Sequence, residues 1–201
     1  MAYFADRRSP RAVALGRANK AAGSTHEFWI DLQHAAAWRE GLLAHVEKNE
    51  PHSRVVSGRV LYSAAGVADY TGTLAAGTRS TSLFSARAPL SVLDGVTLAV
   101  EAKSTSAARL ARAEVKPRQA EHLGAVARAG GLALLLVEFR GADPRGAARY
   151  AVPWAEVPWA KLRTADSVGA ADLARWSVLP GATYLALFTV LRGGGSTCGA
   201  T

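Results

Sequence analysis

The chain has one cysteine, one methionine and no long apolar run. Cys198 has no second cysteine to pair with, so neither an intrachain disulfide nor a cysteine-based zinc site is expected. The apolar stretch 132–139 falls far short of the roughly 20 residues that cross a membrane. The segment Asp6-Arg7-Arg8-Ser9-Pro10-Arg11 lacks the apolar core of a secretory signal. A soluble, cytoplasmic protein is expected. Gly193-Gly194-Gly195 lacks the lysine and helix of a phosphate-binding loop, and no Ser/His/Asp arrangement or internal repeat stands out. Acids are scarce as well: 16 Asp+Glu stand against 24 Lys+Arg, a net charge of +8. An excess of that sign favours an anionic partner, and a polyphosphate backbone is the commonest one.

What is present suits a folded domain. Hydrophobic residues make up 49% of 201, enough for one substantial core. Residues 1–22, with Arg7, Arg8, Arg11, Arg17 and Lys20, read as a basic flexible arm able to contact phosphates. A helix is expected from Ser24, where Glu27 three residues on completes a capping box, through Val46. Extended chain is expected over 53–63, then a turn at Leu93-Asp94-Gly95 and a strand over 96–103. A second helix should run from Lys116 to Arg128 and stop at Gly130-Gly131. The apolar run 132–139 follows as a strand covered on both faces. Pro153 places the expected strand Tyr150–Val157 at a sheet edge. A short helix at 170–176, a strand at 184–191 and a flexible Gly-rich tail at 193–201 complete the order. The alternation implies an α/β domain built on a central mixed sheet, spanning 23–192.

The chemistry concentrates at Val100-Glu101-Ala102-Lys103 and at Asp69, in the glycine-bracketed Gly66-Val67-Ala68-Asp69-Tyr70-Thr71-Gly72. Alternate strand residues share a face, so Glu101 and Lys103 project together. Two carboxylates can hold a hard divalent cation, and a lysine beside them can orient a water or a phosphate oxygen. That is the pattern of a metal-dependent phosphodiesterase. A plain surface Glu–Lys pair is the competing explanation when the motif stands alone. The five tryptophans invite base stacking but suit core or interface packing better.

The order of motifs resembles the PD-(D/E)XK nuclease superfamily, and more closely the RecU-type Holliday junction resolvases. Gly23-Ser24-Thr25-His26-Glu27-Phe28 is similar to the start of that family's first helix, and Val67-Ala68-Asp69-Tyr70-Thr71-Gly72 to its acidic strand. Val100-Glu101-Ala102-Lys103-Ser104-Thr105 resembles its Phe-Glu-Ala-Lys-Glu-Thr core. Arg118-Gln119-Ala120-Glu121-His122-Leu123 resembles its His-Gln-x-x-His helix. The resemblance covers about residues 23–160. It implies a restriction-endonuclease-like fold with Asp69 and Glu101 as ligands of Mg²⁺ (Mn²⁺ a possible substitute) and Lys103 as catalytic lysine. It further implies Glu27 as an added acid, Gln119 as a water or phosphate ligand, and His122 as the family's histidine.

The chain departs from that pattern in places. About thirty residues separate Asp69 from Glu101, with Arg79 and Arg87 in the extra stretch 74–93, an insertion that would touch DNA. Residues 47–66 are short where the family has a projecting stalk, and Ser104 follows the lysine in place of an acid. Arg109, Arg112, Lys116 and Arg118 lie just past the active strand, where a phosphate backbone would approach. The resemblance implies a homodimer that resolves four-way DNA junctions by paired symmetric nicks. A nuclease acting on duplex DNA and a non-catalytic basic DNA-binding protein remain the alternatives.

Overall fold

The computed structural model describes residues 10–49, 53–56, 59–62, 68–75, 78–80, 95–143, 146–161 and 166–191. Helix α1 spans Pro10–Arg39 and strand β1 Leu43–Lys48. Strands β2 (Ser53–Val56), β3 (Arg59–Tyr62), β4 (Tyr70–Leu74) and β5 (Thr78–Ser80) follow, then β6 (Thr97–Thr105) and β7 (Arg109–Ala111). Helix α2 covers Pro117–Arg128, before β8 (Leu132–Asp143) and β9 (Gly146–Pro153). A short α3 (Pro158–Lys161), β10 (Ser167–Gly169) and β11 (Thr189–Leu191) end the order. Five strands form the central sheet in the order β1-β4-β6-β8-β9, antiparallel except for the parallel pair β6–β8. The protein is therefore α/β with a mixed sheet. Among the described residues no helix is long and apolar enough to cross a membrane.

Helix α1 corrects the sequence reading at both ends. It starts at Pro10, an allowed first-turn residue, so Ser24 and Glu27 lie inside the helix and form no capping box at its start. It stops at Arg39 because Gly41 takes φ of 71°. The Leu42 N–H then bonds to the Ala37 carbonyl at 2.9 Å and the Gly41 N–H to that of Trp38 at 2.9 Å. This is a Schellman ending. Leu43 to Val46, expected as the end of the helix, instead belong to the edge strand β1.

Other elements fall close to expectation. Within the expected extended region 53–63, Ser53–Val56 and Arg59–Tyr62 form a small antiparallel pair, β2 with β3, and the strand expected at 96–103 is β6. Gly95, at φ of 69°, donates to the Leu74 carbonyl at 3.2 Å as β6 begins. Helix α2 ends at Gly130, φ 84°. Residues 132–139 are all buried, and β9 is an edge strand, as Pro153 requires. The strand expected to reach Val157 ends at Pro153 in a 3-10 turn over Trp154–Glu156. Residues Ala171–Trp176 and Tyr184–Leu187 are also 3-10, so only Thr189–Leu191 of the last expected strand is extended. From Pro10 the expected basic arm is helical, whereas the tail 193–201 lies outside the described residues.

Register decides which helix covers which face. Tyr70 pairs with Val100, and Ser104 with Glu138. These positions face α1, through His34 against Tyr70 and His26 against Glu138. The alternate positions Ala99 and Ala133 pack with Leu123 of α2. Glu101 and Lys103 share their parity, so both project on the α2 side. Gly72 is needed where β1 pairs with β4, because a Cβ there would run into the His45 carbonyl oxygen.

Candidate active site

The centre of the site is the C-terminal half of β6. Glu101 is wholly buried, and its Oε1 accepts a hydrogen bond from Lys103 Nζ at 2.6 Å. Its other oxygen, Oε2, has no hydrogen-bond partner. Burial, together with the nearby Asp69 charge, pushes the Glu101 carboxyl up to about 7, against the opposing pull of Lys103. Lys103 retains a partly exposed side chain, at 17%, so the pair sits at the boundary between core and solvent.

Asp69 is brought to the same place by strand pairing. Continuing the Tyr70–Val100 register places Asp69 opposite Glu101. Its Oδ2 accepts the Ala102 N–H at 2.8 Å, which fixes the carboxylate against β6. Asn49 secures the backbone from the other side: its N–H bonds the Asp69 carbonyl at 2.7 Å, and its Nδ2 the Ala68 carbonyl at 3.0 Å. Sequence reading missed Asn49, whose neutral side chain next to a strand end carries no catalytic signature.

Two carboxylates, one of them with an unpartnered buried oxygen, suit a hard cation that keeps most of its waters, as Mg²⁺ does. Among the described residues no group of three or more His, Cys, Asp and Glu is disposed around one metal position. Asp69 and Glu101 are the donors that could hold such an ion, with water and substrate oxygens completing its shell. The arrangement can therefore place a cation, an ammonium and a bound phosphate together at one strand end.

The remaining predicted residues divide. Gln119 lies in the first turn of α2, buried, and its Oε1 accepts the Lys116 N–H at 2.9 Å as a helix cap. Because β6 and β8 are parallel and joined through α2, that turn lies at the Lys103 end of β6. His122 has a buried Nε2 with no partner. Glu27 sits on α1, whose contacts lie on the opposite sheet face, and its Oε2 accepts from Lys48 Nζ at 2.8 Å. No hydrogen bond or ion pair among the described residues links it to Glu101 or Lys103. Arg109 is engaged by Asp172 at 3.0 Å and by Ser167 at 2.9 Å. Arg112, Lys116 and Arg118 are exposed, with no ion pair among the described residues. Arg79 lies in β5, its backbone paired with Val190, and Arg87 falls outside the described residues.

A second polar cluster, on the α1 face, was also missed. Glu138 is almost fully buried and accepts from Ser104 Oγ at 2.9 Å and Arg149 Nε at 2.9 Å, with His26 Nδ1 at 3.5 Å. The Arg149 guanidinium lies 4.7 Å over the Trp29 ring. Each of these groups looks ordinary in sequence, and only the register of three strands with α1 joins them.

No protein-family model and no curated protein matches the chain.

Proposed function

We propose that the protein is a Mg²⁺-dependent endonuclease of the PD-(D/E)XK kind that resolves four-way DNA junctions by paired nicks. One observation carries the reading: buried Glu101, with a free oxygen, is flanked by Lys103 at 2.6 Å and by an Asp69 fixed to the intervening Ala102 N–H at 2.8 Å. A surface Glu–Lys pair would leave the carboxylate in water, where it costs nothing. Here the fold buries it and leaves one oxygen unsatisfied, a cost that a bound cation offsets.

Asp69 and Glu101 would hold the ion. When bound, Mg²⁺ supplies an activated water and neutralises charge on the phosphoryl oxygens. The chain's own groups do the rest. The Ala102 N–H holds Asp69 in place, and the buried wall around Glu101 keeps its charge directed at the site. Lys103, hydrogen-bonded to Glu101 Oε1 at 2.6 Å, would present its ammonium to a non-bridging phosphate oxygen. Exposed Arg112, Lys116 and Arg118 then meet the flanking backbone, which agrees with the net charge of +8.

A junction has two equivalent strands to cut, which two sites related by a two-fold axis serve economically. Phe28 and Leu32, one turn apart on α1 and 63% and 52% exposed, offer apolar surface for a second copy. The test is cleavage of a labelled four-way junction and its matching duplex by the wild type and Glu101→Gln, in Mg²⁺ or EDTA. Junction-selective nicks that need Mg²⁺ and vanish in the variant are expected. Equal cutting of duplex would move the protein to the general nuclease reading, and binding without cutting under any metal to a DNA-binding one.

A further inference from the structure

We infer that the groove between the first turn of α2 and Trp154 and Trp159 is a nucleobase site, receiving an unstacked base of the substrate strand. The inference rests on the reading of Asp69, Glu101 and Lys103 as a phosphodiester-cleaving centre.

The groove encloses about 770 Å³, within the usual range for a small-ligand site. Val115, Pro117, Ala120, Trp154 and Trp159 give it apolar walls, and Arg112 and Asp166 stand at its polar edge. Trp159 is buried and fixed, whereas Trp154 keeps part of its indole exposed. Such a ring offers a flat apolar face at little entropic cost, which every base can stack on.

The charge around the groove selects the occupant. Arg112 lines it, and exposed Lys116 and Arg118 lie on the adjoining turn of α2. An apolar peptide or a second copy would leave those cations without a role. A nucleotide uses both features, its base on the indole and its phosphates on the cations. Asp166 adds an acceptor, with its backbone tied by the Arg112 N–H to the Asp166 carbonyl at 2.7 Å. A carboxylate there suits the exocyclic amino group of cytosine, adenine or guanine, whereas thymine has no amino group and offers only its N3–H.

Position links the groove to the cleavage centre. Trp154 follows β9, on one side of the β6–β8 pair that α2 covers, and Asp69 precedes β4 on the other. A strand leaving Lys103 reaches the groove by crossing the first turn of α2. A helix with its side chains is about 10–12 Å across. At about 3.4 Å per stacked nucleotide, the held base lies roughly three nucleotides from the scissile phosphate.

The test uses the full chain carrying Glu101→Gln, in EDTA, with junctions containing 2-aminopurine one to five nucleotides from the branch. Ala113 is exposed and lines the groove, so Ala113→Leu narrows it without removing a core side chain. A 2-aminopurine signal on binding is expected, lost with Ala113→Leu and reduced with Trp154→Phe. Affinity for the junction should fall about fivefold or more with Ala113→Leu, the low end of one base stack. A short oligodeoxycytidine should bind more tightly than oligothymidine, and Ala113→Leu should reduce that preference. Unchanged signal and affinity in Ala113→Leu would overturn the inference while leaving the nuclease reading intact. Loss of self-association in Ala113→Leu with nucleotide binding intact would overturn it too, naming a second copy as occupant. Failure of the wild type to cut any DNA, with groove-dependent oligodeoxycytidine binding retained, would sink the nuclease reading alone.

Discussion

Asp69 Oδ2 accepts the Ala102 N–H at 2.8 Å, so the first acidic residue is anchored on the peptide between the second acid and the lysine. On the proposed reading Asp69 is both anchor and metal ligand, and the two contributions are separable. Asp69→Asn keeps an oxygen to accept the bond but loses the charge, and Asp69→Ala loses both. Cleavage of junction DNA should fall at least about 10²-fold in either variant. Urea unfolding should separate them: Asp69→Ala loses about 1–2 kcal/mol, and Asp69→Asn much less. Equal destabilisation of both would show that the bond is not what holds the loop.

Buried Glu101 sets the second expectation. With its Oε2 unpartnered, the carboxylate is a burden on the metal-free fold. Glu101→Gln should therefore match or exceed the wild type in melting temperature in EDTA. Mg²⁺ at about ten times its Kd should stabilise the wild type by about 1.4 kcal/mol, a rise of roughly 3–5 °C for a chain of this size. Glu101→Gln should show little or none of that rise. A variant that melts well below the wild type in EDTA would mean that Glu101 is structural.

His34 gives the fold a pH dependence away from the site. It is 6% exposed, its Nε2 is 2.7 Å from the Tyr184 hydroxyl, and its ring meets Tyr70 edge-on. Burial pushes the imidazole down from 6.5 to about 4, with Asp31 pulling weakly the other way. Between those values the unfolded chain binds a proton that the native protein excludes. The contribution of neutral His34 is thus fully present above pH 6.5 and lost as pH falls to about 4. The loss is on the order of 3 kcal/mol at most. Unfolding free energies of the wild type and His34→Gln, measured from pH 8 to 4, should converge as the pH drops. A constant difference across that window would exclude the shift.

The sequence carried the parts of this protein whose signals are local. The near-continuous apolar run 132–139 became the interior strand β8, Gly130 ended α2 where expected, and Pro153 marked an edge strand, which stops there and not at Val157. Gly41 was an equally plain stop signal, but apolar Leu42, Leu43 and Val46 imitated a continuing helix face and hid an edge strand. Spacing alone put Glu101 beside Lys103. The sequence does not encode how far the carboxylate is buried, because that depends on α2 and β8 closing over it. Gln119 and Arg109 show the opposite limit. Their positions invited roles toward substrate, yet each has a local partner, the Lys116 N–H and Asp172 respectively.

That difference among the basic residues leads to a final expectation. Arg109, Arg112, Lys116 and Arg118 are neighbours in sequence, and a charge count treats them alike. In the fold Arg109 bridges β7 to β10 through Ser167 and to the following segment through Asp172, whereas the other three have no ion pair among the described residues. A cation already opposed by a carboxylate gains less from a phosphate, since the existing pair must be broken first. Alanine at Arg112, Lys116 or Arg118 should weaken DNA binding for all sequences alike. Each should also flatten the dependence of log K on log salt by about 0.9 for every phosphate left without its cation. Arg109→Ala should leave that slope nearly unchanged and cost at most about 1 kcal/mol of stability, as exposed pairs do. Binding isotherms of the four variants on one junction from 50 to 200 mM salt would decide it. A slope change in Arg109→Ala equal to the others would mean that Asp172 yields the guanidinium to DNA, and the phosphate track would then extend past β7.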